Sequence, residues 1–150
     1  MLLIEPADPR APGPRALLTS SHALMLDLYP PEENYALEID ALCAPDIHFF
    51  AAREGETTLG TGALAIREGY GEVKSMFTAP EARGKGVAAA LLRQLEDQAR
   101  ALNLTALKLE TGEELAGAVR LYERHGFQRC EAFGAYRPNK YSIFMEKHLG

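Results

Sequence analysis

The apolar pattern of this chain changes character at Pro80, from a run of strands to strands alternating with helices, and that change limits the fold more than any single motif does. Before Pro80, the runs 47–53, 58–67 and 70–78 read as strands. Glu54-Gly55-Glu56 and Glu68-Gly69 separate them as polar breaks of hairpin length, which predicts an antiparallel meander. After Pro80, Val87, Leu91, Leu95, Ala99 and Leu102 fall on one helical stripe, with Arg93, Gln94, Asp97 and Arg100 opposite. A chain that meanders first and then alternates helices with strands builds a mixed sheet covered by helices.

The remaining segments fit the same scheme. Residues 2–5 read as a short strand, followed by a Pro-rich loop at Pro6, Pro9, Pro12 and Pro14. A helix is expected over 17–28, before Pro30-Pro31, and a second helical patch over 33–42. Residues 104–110 form a strand, and Thr111 with Glu114 makes a capping box that opens a helix running to His125. Gly126 stands where a left-handed C-cap belongs, and 127–130 and 141–147 close the chain as strands.

With 150 residues, 47% apolar and 25% charged, the chain has the size and composition of one soluble α/β domain, 1–150. Its 16 basic and 21 acidic residues leave a charge of −5, without the basic surplus that nucleic-acid binding needs. No apolar run approaches the roughly 20 residues of a membrane span. The opening MLLIEPADPR has no basic n-region, so no signal peptide is expected. Cys43 and Cys130 make no disulfide framework, which points to a cytoplasmic protein. His22, His48, His125 and His148 are scattered, so no metal site is expected.

The segment richest in chemistry is Arg83-Gly84-Lys85-Gly86-Val87-Ala88-Ala89, at the start of the long helix. Glycines let backbone N–H groups turn into a loop, and a helix N-terminus carries about half a positive charge. Arg83 and Lys85 add full charges that the dipole opposes, so an anion such as a pyrophosphate is expected there. The P-loop pattern fails, because Val87-Ala88 follows Gly86 where Lys-Ser/Thr is required. A Rossmann pattern matches at Gly84, Gly86 and Ala89, but five residues and a meander precede it instead of a βαβ strand.

Arg83-x-x-Gly86-x-Ala88 resembles the Q/R-x-x-G-x-G/A signature of the GNAT superfamily of N-acetyltransferases. Its context strengthens the resemblance. Glu72-Val73-Lys74-Ser75-Met76-Phe77-Thr78-Ala79-Pro80 looks like the family's fourth strand. Ala118-Val119-Arg120-Leu121-Tyr122-Glu123-Arg124-His125-Gly126-Phe127 resembles its A-I/V-x-L-Y-x-x-x-G-F motif. The resemblance spans about 51–147 and implies the GNAT fold: a mostly antiparallel mixed sheet of six or seven strands, about four helices, and splayed fourth and fifth strands. It implies an acyltransferase with acetyl-CoA as cosubstrate, held by Met76, Phe77, Thr78, Arg83, Gly84, Lys85, Gly86, Val87 and Ala88. Met76 N–H would face the thioester carbonyl, and Thr78 would pair with pantetheine amides. One departure matters: many relatives carry an Asn at the position of Leu115, so that cofactor contact is lost or replaced.

Acetyl transfer needs a deprotonated amine, and an alkylammonium near pKa 10.4 supplies only about one free base in a few thousand at neutral pH. The resemblance makes Tyr122 the acid toward the leaving thiolate, although Leu115, Ala118, Val119 and Tyr122 also share a helix stripe. Glu72 is the candidate base. Lys74, two residues on, is equally placed to pair with it, and a water chain is the alternative.

For the acceptor, the fold implies a groove between the first helices and the loop joining the last two strands. Tyr29, Glu32 and Tyr136 are the candidate substrate residues, with Arg137 placed to meet a carboxylate. The length leaves little beyond the core, and residues 141–147 resemble a strand of bacterial small-molecule acetyltransferases. A small primary amine is therefore expected, with a homodimer left open. A protein N-terminal or lysine acetyltransferase and a non-catalytic acyl-CoA-binding module are the alternatives.

Overall fold

The computed structural model describes residues 1–150, apart from the side chains of Glu33 and Ala116. Its elements in chain order are β1 (Leu2–Pro6), α1 (Pro12–Leu28), β2 (Ile47–Glu54), β3 (Thr57–Ile66), β4 (Gly71–Thr78), α2 (Val87–Ala101), β5 (Ala106–Gly112), α3 (Ala116–Arg124), β6 (Gln128–Arg129) and β7 (Ser142–His148). The strands form one seven-stranded sheet in the order β1-β2-β3-β4-β5-β7-β6. Every neighbouring pair is antiparallel except β4 and β5.

The expected meander is β2-β3-β4, and its turns use Gly55 and Gly69 at φ +60° and +88°. The stripe on α2 buries Val87, Leu91, Leu95 and Ala99, with Leu92 beside them, against Leu64, Val73, Leu107 and Leu109 of the sheet. Leu102 is the exception, the half-exposed C-cap residue rather than a core position. A second cluster on the opposite side of the sheet joins Leu18 of α1 to Leu42, Phe49 and Ala63.

Four local expectations are corrected. Pro12 and Pro14 lie in the first turn of α1, not in a loop, because the first helical N–H groups need no partner; the first bond is Arg15 N–H to Ala11 O at 2.9 Å. The helical patch over 33–42 gives way to two 3-10 turns, Pro31–Glu33 and Ala41–Cys43. Leu37 and Ile39 both pack on the second cluster, and a spacing of two suits extended chain. Three α-helices are therefore present among the described residues, where about four were expected.

The capping box does not form either. Thr111 belongs to β5, paired with Ile143, and α3 starts only after Leu115, which makes no side-chain cap. The other end of α3 follows expectation. Gly126 has φ +90°, and Phe127 N–H reaches back to Tyr122 O at 3.0 Å.

Two features of β4 shape the site. It pairs with β5 over Gly71–Leu107, Glu72–Lys108 and Val73–Leu109 only, after which the strands part. On its other edge a bulge opposes β3 between Thr61 and Ala63, with Ser75 at φ +54°.

Candidate active site

Beyond the fork of β4 and β5 lies a cleft of about 670 Å³. Met76, Phe77 and Thr78 form one wall, and Gly117, Ala118, Leu121 and Tyr122 of α3 the other. Ala79 N–H donates to Leu59 O of β3 at 2.8 Å, so strand alternation turns the Thr78 amide toward the open edge. Arg83, Gly84, Gly86, Val87 and Ala88 close one end.

This end has the features that could hold an anion. Gly84 and Gly86 have φ +81° and +78°, and no atom lies within 4 Å of a Cβ added to either. Gly86 is the N-cap of α2 and supplies no side-chain cap. The first intrahelical bond is Ala90 N–H to Gly86 O at 3.0 Å, which leaves the N–H groups of Val87, Ala88 and Ala89 without helical acceptors. These donors, the helix dipole and Arg83 suit the pyrophosphate of a coenzyme A thioester. Lys85 is exposed on the loop and is not among the residues that line this cleft.

A smaller chamber of about 130 Å³ adjoins the cleft. Met25 and Tyr29 from the end of α1, Tyr35, Lys74 of β4, and Glu110 and Gly112 of β5 line it. The Tyr29 ring occupies the space a side chain at Gly112 would take, since a Cβ there would fall 1.7 Å from the Tyr29 hydroxyl oxygen. The two spaces share Met76, Leu115 and Tyr122 as common wall. Tyr122 is 5% exposed, stacks edge-on to Phe127 at 5.6 Å, and has its phenol pushed well above the ordinary range by burial. It holds its proton where the chambers meet. Leu115, in place of the family's usual Asn, is the N-cap of α3 at this junction, and Glu114 beside it lines the larger cleft.

Below the small chamber lies a buried polar network. Glu72 lines neither space. Arg67 Nε donates to its Oε1 at 3.1 Å, and the Tyr136 hydroxyl donates to its Oε2 at 2.5 Å. Lys74 Nζ lies 3.6 Å from that same Oε2 and donates to the Tyr136 hydroxyl at 2.9 Å and to Tyr35 O at 3.0 Å. Burial lowers the Lys74 ammonium and raises the Tyr136 phenol, the latter helped by its bond to Glu72.

The expected substrate residues therefore separate. Tyr29 lines the small chamber, and Tyr136 supports it through Lys74, packed edge-on to Tyr35 and Phe133 at 5.0 and 5.2 Å. Glu32 and Arg137 are exposed, and Glu32 lines neither space. The cation that faces the chamber is Lys74.

Glu110 is the residue that motif reading missed. It faces the chamber, and Ser142 Oγ donates to its Oε2 at 2.7 Å. The available signal was the alternation of Lys108 and Glu110 with Leu107 and Leu109. Polar residues alternating with apolar ones along a strand mark the face turned away from the main core. Among the described residues no group of three or more His, Cys, Asp or Glu is placed to hold a metal ion, and no helix is long and apolar enough to cross a membrane.

Comparisons with known proteins give the family and the fold. The model of the acetyltransferase (GNAT) family matches residues 16–127. An IAA acetyltransferase of Azospirillum brasilense is 49% identical over 125 residues, covering 82% of each chain. A Klebsiella pneumoniae protein described as an acyl-CoA N-acyltransferase superposes with TM-score 0.83 at 31% identity, over 100% of this chain and 99% of its own. PaiA N-acetyltransferase of Thermoplasma acidophilum, solved in complex with coenzyme A, shares the fold at TM-score 0.75 and 17% identity, over 99% of each chain. The chain belongs to the GNAT family and is an N-acetyltransferase.

Proposed function

We propose that the protein transfers an acetyl group from acetyl-CoA directly to the primary amine of a small molecule. The observation that carries this reading is the pair of joined spaces, one large with an anion-binding end and one small and polar, meeting at Tyr122. The larger space suits the cosubstrate, and the Thermoplasma protein of the same fold was solved in complex with coenzyme A. A chamber of about 130 Å³ suits a compact amine better than a peptide segment.

The chemistry forms an amide C–N bond and breaks a thioester C–S bond. An alkylammonium loses two protons on the way, one ending on the CoA thiol and one in solvent. Tyr122 supplies the proton that the departing sulfur needs and is recharged from the amine side. Glu110, whose carboxylate faces the acceptor, takes the amine proton, directly or through water. Glu72 holds Lys74 and Tyr136 in place. The backbone amides at Met76 and Thr78 on the free edge of β4 serve the thioester carbonyl and the pantetheine arm.

The test is calorimetry with CoA and with NAD⁺, followed by CoA-thiol release from acetyl-CoA across a panel of small amines and peptides. CoA binding with turnover confined to small amines is expected. Tight NAD⁺ binding without CoA binding, or turnover of peptides alone, overturns the reading.

A further inference from the structure

The last paired residues of β4 and β5 are Val73 and Leu109, so Lys74 and Glu110 are the first residues past the fork, one on each strand. Both line the small chamber. They put opposite charges on its two walls at the point where the acceptor must sit.

Lys74 is an expensive group to keep here. Only 9% of its side chain reaches solvent, and desolvation weakens its ammonium. An ammonium has three donors, and Tyr35 O and the Tyr136 hydroxyl fix two of them. Its nearest anion, Glu72, is shared with Arg67 at 3.1 Å. The two charged groups that line the chamber, Lys74 and Glu110, sum to zero formal charge. A ligand of one sign would upset that balance, whereas a dipolar ligand would match it wall for wall.

We propose that the acceptor is a small zwitterion, a primary amine with a carboxylate close by, whose carboxylate meets Lys74 and whose ammonium meets Glu110. This rests on the small-amine acetyltransferase reading and narrows it to amino-acid-like substrates. A purely structural Lys74 would make the same bonds to Tyr35 and Tyr136, so the test must read substrate preference, not activity alone.

The experiment measures CoA-thiol release with a panel of free L-amino acids and their methyl esters, each normalised to its free-amine concentration. The wild-type chain is expected to favour the best acid over its ester at least tenfold in kcat/KM. Lys74→Met is expected to lower the acid-to-ester ratio of kcat/KM at least tenfold. Equal rates for acids and esters in the wild type overturn the proposal without needing any variant. So does a Lys74→Met loss that is equal for both. Turnover of simple amines without a carboxylate preference refutes only the zwitterion. Absence of turnover with every amine removes the small-amine reading together with it.

Discussion

The Thr61 hydroxyl donates a 2.8 Å hydrogen bond to the carbonyl oxygen of Ser75, across the bulge where Ser75 takes φ +54°. A non-glycine residue in that region is strained, and this bond is what the structure offers to hold it. Because of the extra residue, Thr61 faces Phe77 while Ala63 faces Lys74, so Val73 and Met76, three apart, both pack toward the main core. Lys74 is thereby left lining the small chamber and Met76 the wall shared by both spaces.

Replacing the fully buried Thr61 with Val keeps its shape and removes the donor. The stranded Ser75 carbonyl should cost about 1–3 kcal/mol in urea unfolding. A loosened bulge also shifts the β4 edge, so the Kd for CoA should rise severalfold by calorimetry. Unchanged stability and affinity would show that the bulge is held by other contacts.

Tyr122→Phe removes one oxygen from a residue with hydrophobic surroundings, so the fold should tolerate it. Turnover should fall at least tenfold while CoA affinity stays within about twofold, since the role proposed for the phenol is toward the leaving sulfur and not the pyrophosphate. Unchanged turnover would remove Tyr122 from the chemistry.

Glu110→Gln keeps an acceptor for Ser142 Oγ but cannot take a proton. General-base loss is worth roughly 100-fold or more in rate. The loss should shrink as pH rises and supplies free amine from solution. A pH-independent loss would instead assign Glu110 to binding alone.

Much of this site was legible in the sequence, and the part that was not has a physical cause. Gly84, Gly86 and Gly126 were readable because each takes a positive φ that glycine adopts freely, so residue type reports conformation. Tyr122 was readable through its spacing from Gly126 and Phe127 on one helix and its cap. Glu110 and Lys74 come together only because two strands part after Val73 and Leu109, and a tertiary divergence leaves no local pattern. Glu72 stood out as an isolated carboxylate at a motif position, but Arg67, 5 residues before it, and Tyr136, 64 residues after it, engage its oxygens. The capping box at Thr111 and Glu114 failed for a related reason. Pairing with Ile143 extends β5 through Thr111, and a sheet ladder outweighs a local cap signal.

Gly86→Ala forces a methyl-bearing residue into φ +78° with open space around it, so the cost is conformational and not steric. About 1–2 kcal/mol of stability should be lost. The same substitution at Gly55, φ +60° with equally open surroundings but in the β2–β3 turn, should cost a similar amount. Only the Gly86 variant should weaken CoA binding, because only there does the backbone present N–H groups to the cleft. Equal CoA affinity in both variants would move the pyrophosphate site elsewhere.

The buried phenols set the alkaline limit of stability. Burial raises the folded pKa of Tyr122 and Tyr136 above the ordinary value of 10.0, with the Glu72 bond adding to the second. A raised folded pKa contributes stability that is complete below the unfolded value and is lost as pH climbs past it, because the unfolded chain sheds phenol protons that the native chain retains. Each such phenol steepens the fall by up to about 1.4 kcal/mol per pH unit. Lys74 works the other way. Its lowered folded pKa means the unfolded amine binds more protons as pH approaches 10.5, so stability rises through that window. Urea midpoints followed from about pH 9 to about pH 11 should therefore fall less steeply in Tyr136→Phe than in the wild type, whatever the two stabilities at neutral pH. Lys74→Met should fall more steeply than the wild type below about pH 10.5. Parallel curves for all three would mean that these groups titrate alike in the folded and unfolded chains, and that the network beneath the acceptor chamber is open to water.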